Sequence, residues 1–252
     1  MSTCHKRDCS VQLCDVSRKL LKLSESGYNT TGCDVLKFCF GLSGKNIILT
    51  GHNDGINGII ELKNEAERDS VRLASCSNDK TIKIWDLNGK RYQTFNGHID
   101  LVLNLIELKN GQLASCSCDK TIKILDLNGR CCHTLTGHTN NVHDIIELKN
   151  GQLASCSDDG TIKIWDLNGR CLQTFTGHRG WVRNIIELKS SLECDNIQIA
   201  SCSNDNTIKI WDLNGKCLQT LTGHTDYVLD IIELKNGQIA SYGNDKTIKI
   251  WC

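Results

Sequence analysis

Five histidines along this chain are each followed, 17 or 23 residues later, by a serine and, four residues beyond it, by an aspartate. The sets are His52, Ser75 and Asp79; His98, Ser115 and Asp119; His138, Ser155 and Asp159; His178, Ser201 and Asp205; and His224, Ser241 and Asp245. Serine, imidazole and carboxylate are the parts of a nucleophilic triad, in which the carboxylate orients the imidazole and the imidazole takes the hydroxyl proton. Catalytic sites do not come in five matching copies, so the repeated set is read as orienting hydrogen bonds, and its His-Asp pairs are not read as metal ligands. Outside the set, His143 and Asp158 could form half of an acid-base site, but nothing singular completes it. Cys4, His5, Cys9 and Cys14 match no closed zinc spacing. No catalytic residue, metal or cofactor is expected, and the chain is not read as an enzyme.

The elements that must position these residues repeat with them. Each histidine ends a Gly-His pair, and six residues after each aspartate comes a tryptophan position: Trp85, Leu125, Trp165, Trp211 and Trp251. A fixed period of about forty residues describes an array of small units, none of which can bury a core alone. Within a unit, β-forming runs such as Leu153-Ala154-Ser155-Cys156-Ser157 and Thr161-Ile162-Lys163-Ile164-Trp165 are bounded by Asn150-Gly151 and Asn168-Gly169. Asn-Gly pairs predict two-residue hairpin turns, because both residues tolerate the positive φ such turns demand. Four antiparallel strands per repeat make a meander, and hence one propeller blade.

Bulk properties narrow the partners. The 252 residues carry 29 Lys plus Arg against 29 Asp plus Glu, without the concentrated positive surface that nucleic acid binding needs. No apolar run is long enough to span a membrane, and the basic N-terminus leads into no apolar stretch of a secretory signal. Most of the 16 cysteines are copied with the repeat: Cys76, Cys116, Cys156 and Cys202 share one slot, and Cys131, Cys171 and Cys217 another. Small buried thiols in a reducing compartment explain them, so a cytoplasmic protein is expected, with the nucleus as alternative.

The Gly-His pairs, the Ala-Ser-Cys-Ser-x-Asp-x-Thr-Ile-Lys-Ile-Trp-Asp run and the period together resemble the WD-repeat β-propeller family over residues 45–252. The resemblance implies an all-β ring of four-stranded antiparallel blades, each with a hydrogen-bonded tetrad of His, Ser, Asp and Trp. Leu125 cannot donate the indole bond, so blade two is expected to be the loosest. Asn46 to Thr50 reads as a fourth strand, and pairing it with the strand that ends at Trp251 would close a five-bladed ring. However, Asp34-Val35-Leu36-Lys37-Phe38-Cys39 resembles Lys80-Thr81-Ile82-Lys83-Ile84-Trp85. Residues 1–44 are therefore read as a degenerate first blade, or an N-terminal extension, giving six blades with five as the alternative in a single propeller domain. Ser10 to Cys14 would complete the last blade or supply the missing inner strand.

Specificity is sought where the copies differ. Two hairpins carry six extra residues, around Glu65 to Arg72 and Ser191 to Gln198. The residues after each Gly-His vary more, around a fixed apolar position. In the family, the third and fifth residues after the histidine, and the one before the aspartate, line the top rim of the channel. Carried over, the rim is Gly55, Asn57 and Asn78; Leu101, Leu103 and Cys118; Asn141, His143 and Asp158; Trp181, Arg183 and Asn204; and Tyr227, Leu229 and Asn244. Of these, Leu101, Leu103, Asn141, His143, Asp158, Trp181, Arg183, Asn204, Tyr227 and Leu229 are the expected partner-binding residues, with Trp181, Arg183, Tyr227 and Leu229 in one patch. Large apolar and aromatic side chains on an exposed rim are the composition of a binding hot spot. The expected function is a non-catalytic scaffold presenting this face to a protein or peptide, as a monomer within a larger complex. A substrate receptor of a ubiquitin ligase is the alternative.

Overall fold

The computed structural model describes residues 47–63, 72–189 and 197–252, which form nineteen strands in five antiparallel sheets and no helix. The first sheet holds β1 (Ile56–Leu62), β2 (Arg72–Ser77), β3 (Thr81–Asp86) and β4 (Arg91–Asn96). The second holds β5 (Val102–Glu107), β6 (Leu113–Ser117), β7 (Ile122–Leu125) and β8 (Cys131–Leu135). The third holds β9 (Val142–Glu147), β10 (Leu153–Ser157), β11 (Ile162–Trp165) and β12 (Cys171–Phe175). The fourth holds β13 (Val182–Leu188), β14 (Gln198–Ser203), β15 (Thr207–Asp212) and β16 (Cys217–Thr222). The fifth has three, β17 (Val228–Glu233), β18 (Ile239–Gly243) and β19 (Ile248–Trp251). Each sheet is a meander in chain order, a blade-like unit, and the inner strands β1, β5, β9, β13 and β17 pack on one another in succession.

The hairpins depart from the two-residue turns expected of Asn-Gly. Asp86 donates its amide to the Lys90 carbonyl at 3.0 Å, enclosing the three-residue loop Leu87-Asn88-Gly89. The Asp86 carboxylate accepts the amides of Asn88 and Lys90, at 2.9 and 2.8 Å. Only the glycine adopts positive φ, +82° to +95° at Gly89, Gly129, Gly169 and Gly215. The asparagine keeps ordinary φ, so the loop is a turn closed by one left-handed glycine, with a bulge in the ladder beside it. The aspartate of Trp-Asp is therefore a turn cap.

Packing explains why the middle strands are apolar throughout. Leu153 of β10 faces the second sheet, in a cluster with Leu108, Cys116, Ile122, Ile124 and Val142, whereas its neighbours Ala154 and Cys156 face the fourth, with Val182, Ile185 and Trp211. Every core cluster is thus a joint between two adjacent sheets, and four joints connect the five. Burying one such aliphatic side chain contributes roughly 1.5–3 kcal/mol.

No fifth joint connects the last sheet to the first among the described residues. At the joint-forming positions Val102, Val142, Val182 and Val228 are fully buried, but Ile56 is 43% exposed. Ile248 and Ile250 of β19 are 78% and 60% exposed, against 6% or less for their counterparts in the other sheets. The strand pairing expected to close a five-bladed ring is also not seen among the described residues: residues 47–50 lie in no strand, and β19 pairs there only with β18. The degenerate blade expected in residues 1–44 and nearly all of the two hairpin insertions lie outside the described residues.

Candidate functional site

The repeated Ser-His-Asp sets converge as their spacing suggests. In every sheet the histidine Nδ1 lies 2.7–2.8 Å from the aspartate and its Nε2 lies 2.8–2.9 Å from the serine Oγ. In four sheets the indole Nε1 donates to that Oγ at 2.8–2.9 Å. The ionised carboxylate can only accept, so Nδ1 carries the proton, Nε2 accepts, and the serine donates to it while receiving the indole. This relay is closed. The serines are at most 3% exposed, and no substrate carbonyl could reach the oxygen. In the second sheet Ser115 keeps its bond to His98, and buried Leu125 leaves one acceptor position unused.

A fifth member of the set escaped the sequence reading. Thr81, Thr121, Thr161, Thr207 and Thr247 each donate a hydroxyl to the same carboxylate, at 2.6–2.8 Å, and the threonine amide and the amide after the histidine add two more bonds. Burial alone would raise the aspartate pKa values. The threonine, histidine and amide bonds outweigh it and hold Asp79, Asp119, Asp159 and Asp205 well below the ordinary carboxylate range.

A cavity of about 350 Å³ is lined by the inner strands of all five sheets. Asn57, Leu103, His143 and Arg183 line it directly. Bulges in the inner strands lie beside these residues, between Val102 and Asn104 and between Val182 and Asn184, for example. Asp158, expected on the rim, is buried and serves as a support: it accepts His143 Nε2–H at 2.6 Å and the Asn141 amide group at 3.1 Å. Arg183 donates Nε–H to Asn204 Oδ1 at 2.9 Å and lies over the Trp181 ring, 4.8 Å from its centroid. Its Nη1 is 3.1 Å from His143 Nε2, a nitrogen whose proton is already committed to Asp158. Burial lowers the His143 pKa; Asp158 draws it back up and Arg183 pushes it down, leaving the imidazole neutral at pH 7.

Asn141, Asp158 and His143 therefore form one hydrogen-bonded set and Arg183 with Asn204 a second, the two meeting at the contact between Arg183 Nη1 and His143 Nε2, with Trp181 stacked on Arg183. That contact sets Arg183 against His143 of the third sheet. Trp181 and Tyr227 are 46% and 44% exposed; Leu101, Leu103 and Leu229 are half-buried. Cys118, between the second and third sheets, has its thiol pushed up to about 11 by burial and by Asp100, Asp158 and Asp119, which makes it a poor nucleophile.

Deeper in the cavity lie residues the sequence reading did not single out. Asn104 donates to the Asp144 carboxylate, which also accepts the Ile145 amide at 2.9 Å and the Ile185 amide at 3.4 Å, bridging three sheets. Below them, the glutamate of each sheet after the first accepts the amide of a lysine in the sheet before it: Lys63 to Glu107, Lys109 to Glu147, Lys149 to Glu187 and Lys189 to Glu233, at 2.7–3.0 Å. The unvarying Ile-Glu-Leu-Lys of all five copies was the available signal.

A family model described as "WD domain, G-beta repeat" matches residues 44–86, 89–126, 129–166, 169–212 and 215–252. No curated protein sequence matches the chain significantly.

Proposed function

The chain belongs to the WD-repeat family, and from that premise we propose that it is a non-catalytic scaffold whose channel rim receives a protein or peptide partner. WD repeats mediate protein-protein interactions, and proteins built from them are typically non-catalytic. One observation carries the reading to this face: Arg183 is immobilised by Asn204 and by the Trp181 ring at the mouth of the cavity, with Trp181 itself exposed. A preorganised arginine on an aromatic platform loses little side-chain entropy when a partner docks, and both residue types are enriched among hot spots. Asp158 and Asn141 act behind the surface, fixing His143.

The test is Trp181→Ala combined with Tyr227→Ala. The double variant should lose the bound partners of the wild type in affinity capture while its Tm stays within experimental error, since both side chains are exposed. Retention of the same partners would sink the proposal. A cytoplasmic or nuclear monomer that works inside a larger complex goes with this reading, and the balanced charge supports a protein partner over nucleic acid. For the alternative, a ubiquitin-ligase substrate receptor, the arginine cluster that phosphorylated motifs want is reduced at the cavity to Arg183. Co-purification of a ligase core would favour that alternative.

A further inference from the structure

The two ends of the array carry matching halves of a joint that is nowhere made among the described residues. On the last sheet, Tyr242, Ile248 and Ile250 are exposed at positions where the other sheets bury Cys, Ile and Ile against a neighbour. On the first sheet, Ile56 is exposed where the other sheets bury valine. The amide-to-glutamate ladder is likewise unfinished, because Glu61 stands exposed with no sheet before it among the described residues to supply an amide.

Residues 47–50 show what precedes the first sheet. At the later junctions, the outer strand of one sheet lies over the turn glycine of the next: Gln93 over Gly129, Leu135 over Gly169, Phe175 over Gly215. At the first such glycine, Gly89, the neighbouring side chains are Ile47 and Leu49, each 4.0 Å from where a Cβ would stand. These residues thus occupy the outer-strand place of a preceding sheet. They are not paired with β19, so the last sheet is not that sheet.

We propose that residues 1–46 of the same chain, continuing into 47–50, form a further blade wedged between the exposed faces of the last and first sheets. Within the stretch directly before Ile47, Asp34 to Cys39 resembles β3. Tyr242 in place of the usual small cysteine fits a degenerate neighbour better than a regular one. The wedge covers Ile248 and Ile250, and pairs the free edge of β19 as β16 pairs β15, where Ile208 opposes Leu221 and Trp211 opposes Cys217.

The full chain provides the test. An equal mixture of ordinary and 15N-labelled protein is treated with a short amine crosslinker. Lys19, Lys22 and Lys37 should link within one molecule both to Lys246 or Lys249 and to Lys80 or Lys90. Links only between labelled and unlabelled copies would mean that a second copy covers the faces, and links to one end or to neither would mean that no wedge forms. Either result overturns the proposal. Independently, Ile248→Asp with Ile250→Asp should raise the tryptic cleavage rate after Arg18 and Lys22 by about tenfold or more, by freeing the segment. If these two isoleucines face solvent in the whole protein, the rate stays unchanged and the proposal fails.

Discussion

The smallest unit that decides what this protein can do is the carboxylate shared by histidine and threonine in every repeat. Its four donors explain why it is strongly acidic, and the serine beside it is not a nucleophile because its proton is already given to the histidine and, in four of the five sets, its oxygen already receives the indole. The same arithmetic gives a pH dependence. A native pKa held below the unfolded value means that the stabilisation is fully present above about pH 4 and is lost as pH falls towards the native value, because the unfolded chain takes up the proton first. Each such aspartate steepens the decline by about 1.4 kcal/mol per pH unit. Asp159→Asn should therefore be less stable at pH 7, with a slope below pH 4 shallower by one proton, read from urea titrations across pH. An unchanged slope would show that Asp159 titrates normally. At this scale the sequence was informative for side chains whose identity recurs. It was silent on Thr81 and its counterparts, because a threonine in a strand is ordinary, and on Asn104 and Asp144, because their role arises only when strands far apart in sequence meet in the cavity.

At the scale of the element, the second blade is the exception worth testing. A Cβ at Gly51, Gly137, Gly177 or Gly223 of the Gly-His pairs would stand only 3.2–3.3 Å from the edge of the indole, whereas one at Gly97 would meet only the methylenes of Lys123. The glycine that admits an indole has been kept where the indole is absent, and Ser115 still offers an acceptor. Leu125→Trp should then stabilise the protein by about 1 kcal/mol, the net value of one such bond, seen as a raised Tm and slower amide exchange in β6 and β7. A lower Tm would mean that the joint with the first sheet has closed over the space. Strand positions and order were legible from alternation and turn residues. Turn geometry was not, because Asn-Gly suits two loop types, and the three-residue one forms here with Asp86 or with Leu148 three residues before the glycine.

For the whole molecule, the governing fact is that cores lie between sheets and not within them. Ile145, fully buried in the joint of the second and third sheets, can be truncated to show this. Ile145→Ala should cost about 2–5 kcal/mol and speed amide exchange on both sides of the joint, in β7 as well as β10, within a single unfolding transition. Loss of protection in the third sheet alone would argue for independent units. That the sheets follow one another around a channel could be read from the period and the family resemblance. That the described sheets leave a joint unmade could not, since Ile248 and Ile250 match every other copy and Ile56 is only a conservative change from valine.

A joint that is the same at each junction has a bearing on how such a chain changes over generations. Duplication or loss of one forty-residue stretch of coding sequence, cut at equivalent points, would join a familiar left half to a familiar right half and expose nothing new. Blade number and rim composition can then vary by recombination among the copies, with Trp181 and Arg183 travelling as a cassette while the supporting wall stays constant.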